Sequence, residues 1–277
     1  MIVPGSASQE LAAALSAALD EPLAAVKYER FADGERLVRV RETANRAVVV
    51  ASTVSDGAHV ELLQLQDAVR NSDEVVTVLP YMGYARQDET FEPGEPVSAR
   101  AMARAISTGT DRVVTVNPHE PGVGDFFEVP FSAVDAAPRL ADPLDDDLAD
   151  PLFLSPDRGA LGLAETVRDA YGRGEADHFE KRRVSDTEVD VSPGDAPTSG
   201  RDVVLVDDIV ATGSTMSTAI EQLSAPNRVF VACVHPMLAA GARTKLANAG
   251  AEAVYGTDTI ERAVSTVSAA PTVASSL

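Results

Sequence analysis

Two adjacent carboxylates, Asp207 and Asp208, stand between an apolar run and a short polar loop. The run Val203, Val204, Leu205 and Val206 reads as a strand buried on both faces. The loop Ala211, Thr212, Gly213, Ser214 and Thr215 then opens a helix. Loop amides at a helix start hold a phosphate group well, because their N–H groups lack intrahelical partners and the helix dipole favours an anion. Two carboxylates would repel a bare phosphate. A sugar phosphate reconciles the two features: its hydroxyls donate to Asp207 and Asp208, and the amides of 211–215 take the phosphate. The loop matches neither GxxxxGK[ST] nor GxGxxG.

A second constellation spans Pro80–Ala103, PYMGYARQDETFEPGEPVSARAMA. It begins where a strand ends and finishes in a helix, with Gly83, Pro93, Gly94 and Pro96 between. A connection this long inside a compact domain is usually functional or disordered, and its prolines and aromatics argue for order. Tyr84, Arg86, Gln87 and Asp88 suit a nucleotide: the arginine fork matches phosphate, and the glutamine amide can read a base edge.

Apolar strands and amphipathic helices alternate around these two blocks. Strands are expected at 24–28, 37–41, 47–51, 74–79, 112–116, 152–154, 202–206, 229–234 and 253–255. Helices are expected at 8–19 (capped by Ser8), 59–70, 98–107, 160–171, 214–224 and 239–249. The fold class is α/β, with mostly parallel sheets flanked by helices. The stretch Pro138–Pro151, with three prolines and an acidic run, divides the chain into domains at 1–140 and 141–277. A second break is the polar loop Ser192–Gly200, and the small, polar tail after Val267 reads as a frayed end.

The chain has 277 residues and a net charge of −20, with 43 acidic residues against 23 basic. Only three of the basic residues are lysines, Lys27, Lys181 and Lys245, and there is no tryptophan. This composition points to a salt-loaded cytoplasm, where self-repulsion is screened over roughly 3 Å at 1 M salt. No basic stripe exists, which argues against general nucleic-acid binding. No run approaches the ~20 apolar residues of a membrane span, and the N-terminus lacks a signal peptide's positive region, so a cytoplasmic protein is expected. Cys233, alone in the run VFVACVH, reads as a small core residue.

The loop at 207–215 resembles the phosphoribosyl-diphosphate loop of type I phosphoribosyltransferase folds. With the other motifs, the chain resembles the ribose-phosphate diphosphokinases, also called phosphoribosyl-diphosphate synthetases. Carrying the resemblance are Phe31–Glu35 (FADGE), the block PYMGYARQD…GEPVSAR, Asn117-Pro118-His119 followed by Phe126-Phe127, Ser155-Pro156-Asp157, and Lys181–Val189 (KRRVSDTEV). The short length is similar to that of archaeal members. The resemblance implies two phosphoribosyltransferase type I-like domains. It implies transfer of the diphosphoryl group of ATP to the anomeric hydroxyl of ribose 5-phosphate, with AMP as the other product. Asp33, Gly34 and Glu35 would meet the ATP base from a neighbouring subunit of a homo-oligomer, and Arg86 and Gln87 would hold ATP. His119 and Asp157 would serve a Mg2+ site. Lys181 and Arg183 would be the catalytic cations, with Arg183 also near ribose 5-phosphate. Asp207, Asp208, Ala211, Thr212, Gly213, Ser214 and Thr215 would bind that sugar phosphate.

Three positions depart from the family pattern. Asn117 stands where many members have an acidic residue, Arg182 and Arg183 are in tandem, and Pro236 follows His235 where many have glycine. Lysine is scarce here, so a retained lysine beside two arginines argues for a compact point charge at Lys181, whereas Lys27 and Lys245 read as chance survivors. His59 reads as a helix-start residue, and His178 neighbours the 181–189 loop by position only. Two rivals share part of the pattern. A phosphoribosyltransferase would keep the 207–215 loop but not need the block at 80–100, and a regulatory synthetase-like protein could lose the loop lysine.

Overall fold

Apolar runs of four or five residues dominate the centres of both halves, and they form the strands of two parallel sheets. In the computed structural model, backbone is described for residues 1–183, 189–193 and 196–277, and side chains for 1–180 and 196–277. The chain divides into two units. The first holds Met1–Asp135, Asp258–Glu261 and Ser268–Leu277; the second holds Ala136–Thr257 and Arg262–Val267.

The first unit is built on β1 (Ile2–Pro4), β4 (Arg46–Val50), β5 (Glu74–Leu79), β6 (Arg112–Val116) and β7 (Phe131–Val134), all parallel and hydrogen-bonded in that order. Ala47–Val50 and Val75–Leu79 are buried throughout, as strands covered on both faces must be. The helices are α1 (Gln9–Leu19), α2 (Asp56–Ala68) and α3 (Ser98–Ser107). Leu62 and Leu65 of α2 are fully buried; each contributes roughly 1.5–3 kcal/mol by leaving water. β2 (Val26–Arg30) and β3 (Arg36–Val40) form a separate antiparallel hairpin.

Cap chemistry differs from expectation at two helix starts, and one of them moves. Ser55 Oγ accepts from the Ala58 amide at 3.2 Å, so α2 opens at Asp56 rather than at 59. Ser8 does not cap α1 with its side chain; its hydroxyl accepts instead from the Ser52 amide at 2.9 Å. The expectation of a frayed tail is also corrected. A short helix α7 (Ala270–Ala274) packs in the first unit with Ala269 and Val273 fully buried. Arg46 and Arg112 donate to the carbonyls of Leu277 and Ser276 at 3.1 and 2.9 Å.

The second unit carries a seven-stranded sheet. Its order is β10 (Val189–Pro193), β9 (Glu175–Arg183), β8 (Leu152–Ser155), β11 (Asp202–Ile209), β12 (Arg228–His235), β13 (Ala253–Thr257) and β14 (Ser265–Val267). All pairings are parallel except β9 with β10. Its helices are α4 (Leu161–Tyr171), α5 (Ser214–Glu221) and α6 (Ala242–Ala249). Cys233 is fully buried in the core with Leu205, Val231 and Leu246, and that burial pushes its thiol pKa well up.

Candidate active site

In the second unit, β11 ends in Asp207 and Asp208 at the carboxyl edge of a parallel sheet, where open α/β folds place ligands. Each carboxylate folds back on the strand: the Asp208 amide donates to Asp207 Oδ1 at 2.9 Å, and the Ile209 amide to Asp208 Oδ1 at 2.8 Å. The neighbouring strand β8 pairs with β11 through Leu154 and Leu205, and just beyond its end lies Asp157. Asp157 Oδ1 caps the following turn, accepting from the Gly159 amide at 3.0 Å. Burial, then the charge and hydrogen bond of Asp208, and last the charge of Asp157 push the Asp207 carboxyl well above the usual range. Three carboxylates thus crowd one spot, and Asp207 stays ionised there only if a cation or donors from a ligand arrive.

The 211–215 loop follows directly. Gly213 sits at φ +72°, a left-handed conformation that favours glycine, and is the residue from which α5 starts. A Cβ at that position would stand 3.3 Å from Ala242, at the start of α6. Two backbone bonds tie the loop to the chain entering α6: Leu238 N to Val210 O and Ala239 N to Ala211 O, both 2.9 Å. Thr212 and Ser214 hydroxyls lie 3.2 Å apart. Carboxylates, hydroxyls and a helix start therefore lie in succession, as a sugar phosphate requires.

Lys181 and Arg183 are expected on a loop, but their backbone lies in β9, with Lys181 opposite Val191 and Arg183 opposite Val189. Their side chains and residues 184–188 of the KRRVSDTEV motif lie outside the described residues.

In the first unit, Phe31–Glu35 forms the turn of the β2–β3 hairpin. Gly34 has φ +97°, its amide donates to Phe31 O at 2.9 Å, and Asp33 Oδ1 accepts from the Glu35 amide at 3.1 Å. Phe31, Asp33 and Glu35 are exposed. The Pro80–Ala103 block is ordered by its own contacts. The Gly83 amide donates to Thr53 Oγ1 at 2.8 Å, and a Cβ there would stand 2.2 Å from the Thr53 carbonyl oxygen. Tyr84 takes a left-handed φ of +64°, donates to Asp56 at 2.6 Å and rests 5.5 Å from the His59 ring. Burial holds the His59 pKa below its usual value. Arg86 is exposed, and Gln87 Oε1 is taken by the Ser98 hydroxyl. Among the described residues, no hydrogen bond or ion pair joins Asp33, Gly34 or Glu35 to Arg86 or Gln87. His119 is exposed just past β6, after Asn117, whose φ of +35° and bond to Asp135 at 2.6 Å shape that strand end.

Sequence reasoning missed the anchors beneath the second block. Asp56 and His59 lie on α2, well before Tyr84 in sequence, and no motif links them. It also missed Lys245, whose Nζ donates to Ser214 Oγ at 2.8 Å.

Comparison with known proteins finds relatives along the whole chain. The model of the N-terminal domain of ribose phosphate pyrophosphokinase matches residues 1–109, and that of the phosphoribosyl transferase domain matches 133–266. A ribose-phosphate pyrophosphokinase of Halobacterium salinarum is 64% identical, with 100% of both chains covered. One from Methanosarcina mazei is 41% identical over 100% of this chain and 94% of its own. The crystal structure of phosphoribosylpyrophosphate synthetase from Mycobacterium smegmatis superposes with a TM-score of 0.82 at 27% identity, covering 100% of this chain and 96% of that one.

Proposed function

This chain belongs to the ribose-phosphate pyrophosphokinase family, and from that premise we propose how its own residues carry out the family's reaction. The protein is an enzyme that transfers the diphosphoryl group of ATP to the anomeric hydroxyl of ribose 5-phosphate. The anomeric oxygen forms a bond to the β-phosphorus as the bond from that phosphorus to the α,β-bridging oxygen breaks. Phosphoribosyl diphosphate and AMP result. Such transfers depend on in-line placement and neutralisation of spreading charge more than on covalent help.

Asp207 and Asp208 accept from the ribose hydroxyls, and residues 211–215 take the 5-phosphate on loop amides and hydroxyls. The observation that carries this reading is the succession of Asp207 and Asp208 at the end of β11, the 211–215 loop and the start of α5. Arg86 pairs with ATP phosphates. With Gln87 Oε1 occupied by Ser98, its amide nitrogen is the group that donates to the nucleotide. The exposed turn 31–35 is offered to the ATP site of a neighbouring subunit in a homo-oligomer. Lys181 and Arg183 supply positive charge as the transition state forms.

We infer a magnesium site that uses one protein carboxylate. Magnesium typically takes one or two carboxylates with waters and substrate phosphates, and among the described residues no group of three or more His, Cys, Asp or Glu could hold a metal ion alone. Asp157, in a spot already too negative for Asp207, is the carboxylate that would hold it, with His119 acting on a water or a phosphate. When bound, the ion neutralises phosphate charge. No helix among the described residues is long and apolar enough to cross a membrane.

The test is one incubation of ATP, ribose 5-phosphate and magnesium in high salt, resolved by nucleotide chromatography. AMP formed one-for-one with phosphoribosyl diphosphate is expected. ADP as the main product would indicate an ordinary kinase, and binding without turnover a regulatory protein.

A further inference from the structure

We propose that Lys245 binds the 5-phosphate of ribose 5-phosphate, giving the sugar-phosphate loop a cation from α6. The inference rests on the functional reading above and adds to it a charged partner outside the 207–215 motif. Lys245 lies one turn into α6, and its Nζ donates to Ser214 Oγ at 2.8 Å. Ser214 is the first residue of α5 and neighbours Gly213, so the ammonium sits at the helix start where the phosphate would bind.

The position suits an anion. A helix N-terminus is the positive end of the dipole, and Lys245, exposed beside it, adds a second positive group within reach of a phosphate bound there. Among the described residues Lys245 has no carboxylate partner, although the chain carries 43 acidic residues; Lys27, by contrast, pairs with Glu29. A cation that is held against a hydroxyl gains a partner once a phosphate dianion enters. The helix that carries it is held against the loop. The bonds from Leu238 and Ala239 to Val210 and Ala211 fix the entry to α6 against the loop, and the close approach of Gly213 to Ala242 seats the two helices together. Lysine is a compact point charge, suited to a phosphate that the loop amides already orient.

The experiment compares wild type with Lys245→Met and Lys245→Arg in the AMP-forming assay at high salt with magnesium. Lys245→Met should raise the KM for ribose 5-phosphate at least ~10-fold, leave the KM for ATP within about 2-fold and keep kcat at saturation within about 2-fold. Lys245→Arg should return the KM to within about 3-fold of wild type. A packing role would not alter the proton dependence. Phosphate monoesters lose their second proton near pH 6, so between pH 7.5 and 5.5 the wild-type KM should climb more steeply than that of Lys245→Met. Equal KM values for wild type and Lys245→Met, parallel pH profiles, or a matched rise in both KM values would overturn the assignment. A wild type that makes no AMP would instead overturn the reaction itself, so the two failures are distinguishable.

Discussion

Asp207 should make the free enzyme less stable than an asparagine variant, and the size of that penalty can be worked from its surroundings. Its carboxyl is raised above the ordinary 3.8 by burial, by the charge and hydrogen bond of Asp208, and by Asp157. In the unfolded chain the burial and Asp157 are gone, and Asp208, still next in sequence, is solvated. The folded state therefore holds the proton more tightly, so stability is fully present below about pH 3.8 and is lost as pH rises towards the raised folded value. Each unit of difference is worth about 1.4 kcal/mol. Asp207 is only partly buried and the solvent is salty, so screening discounts the full difference and about 1–2 kcal/mol is expected to survive. Asp207→Asn removes the titrating carboxyl and keeps the shape. At pH 7.5, without substrates, its Tm should rise by roughly 2–6 °C, using about 2–4 °C per kcal/mol. The gain should shrink as pH falls and vanish near pH 4. Ribose 5-phosphate binding should weaken in the same variant while ATP affinity stays near wild type. Calorimetry at several pH values, with isothermal titration of each ligand, reads all of this. An asparagine variant no more stable than wild type at neutral pH, or one whose advantage grows in acid, would refute the electrostatic account. Equal losses for both ligands would mean that Asp207 acts on fold or metal instead.

Four further outcomes are expected. Lys181→Ala should lower kcat by at least ~10³ with the fold intact by circular dichroism, since the charge acts mainly in the transition state; near-normal turnover would reject that role. Gly83→Ala should weaken ATP binding at least ~10-fold and leave ribose 5-phosphate binding unchanged, because a Cβ 2.2 Å from the Thr53 carbonyl must displace the loop carrying Arg86 and Gln87; an unaltered KM for ATP would count against the loop's role. With a net charge of −20, activity or assembly should fall as salt drops well below molar; full activity and an unchanged oligomer in dilute buffer would remove the high-salt reading. Cys233 should resist thiol reagents in the native protein and react on unfolding, since it is fully buried and its thiolate is disfavoured; modification at native rates would contradict that burial.

Where one face or both faces of an element are apolar, the sequence was easy to read. Val203–Val206 and Val75–Leu79 are continuous apolar runs, and both are central strands. The strands that escaped notice lie at or near sheet edges or are very short. β1 and β14 have three residues each, too few for any periodicity. β9, EADHFEKRR, is polar along most of its length and pairs with β10 as a hairpin, so its strand character comes from pairing rather than composition. The tail failed for a related reason. Its small residues read as disordered, yet Ala269 and Val273 are buried, and Arg46 and Arg112 hold the last carbonyls across more than a hundred and fifty residues of sequence. Such long-range partners leave no local trace.

The same limit explains which parts of the candidate site were legible. Asp207, Asp208 and the 211–215 loop are contiguous, so one stretch of chain displays both kinds of chemistry that a sugar phosphate needs. The groups that tune them come from elsewhere. Asp157 arrives at the end of the neighbouring parallel strand, and Lys245 on a helix docked by backbone bonds to the loop. Before a ligand enters, Asp157 adds repulsion to a carboxyl whose ionisation burial already disfavours, and on our reading sugar hydroxyls with magnesium would relieve that conflict. Lys245 stands exposed beside the start of α5, and on the same reading a phosphate dianion would give the lysine and the loop amides one shared partner. The ligand proposed for this edge therefore carries hydroxyls at one end and a phosphate at the other.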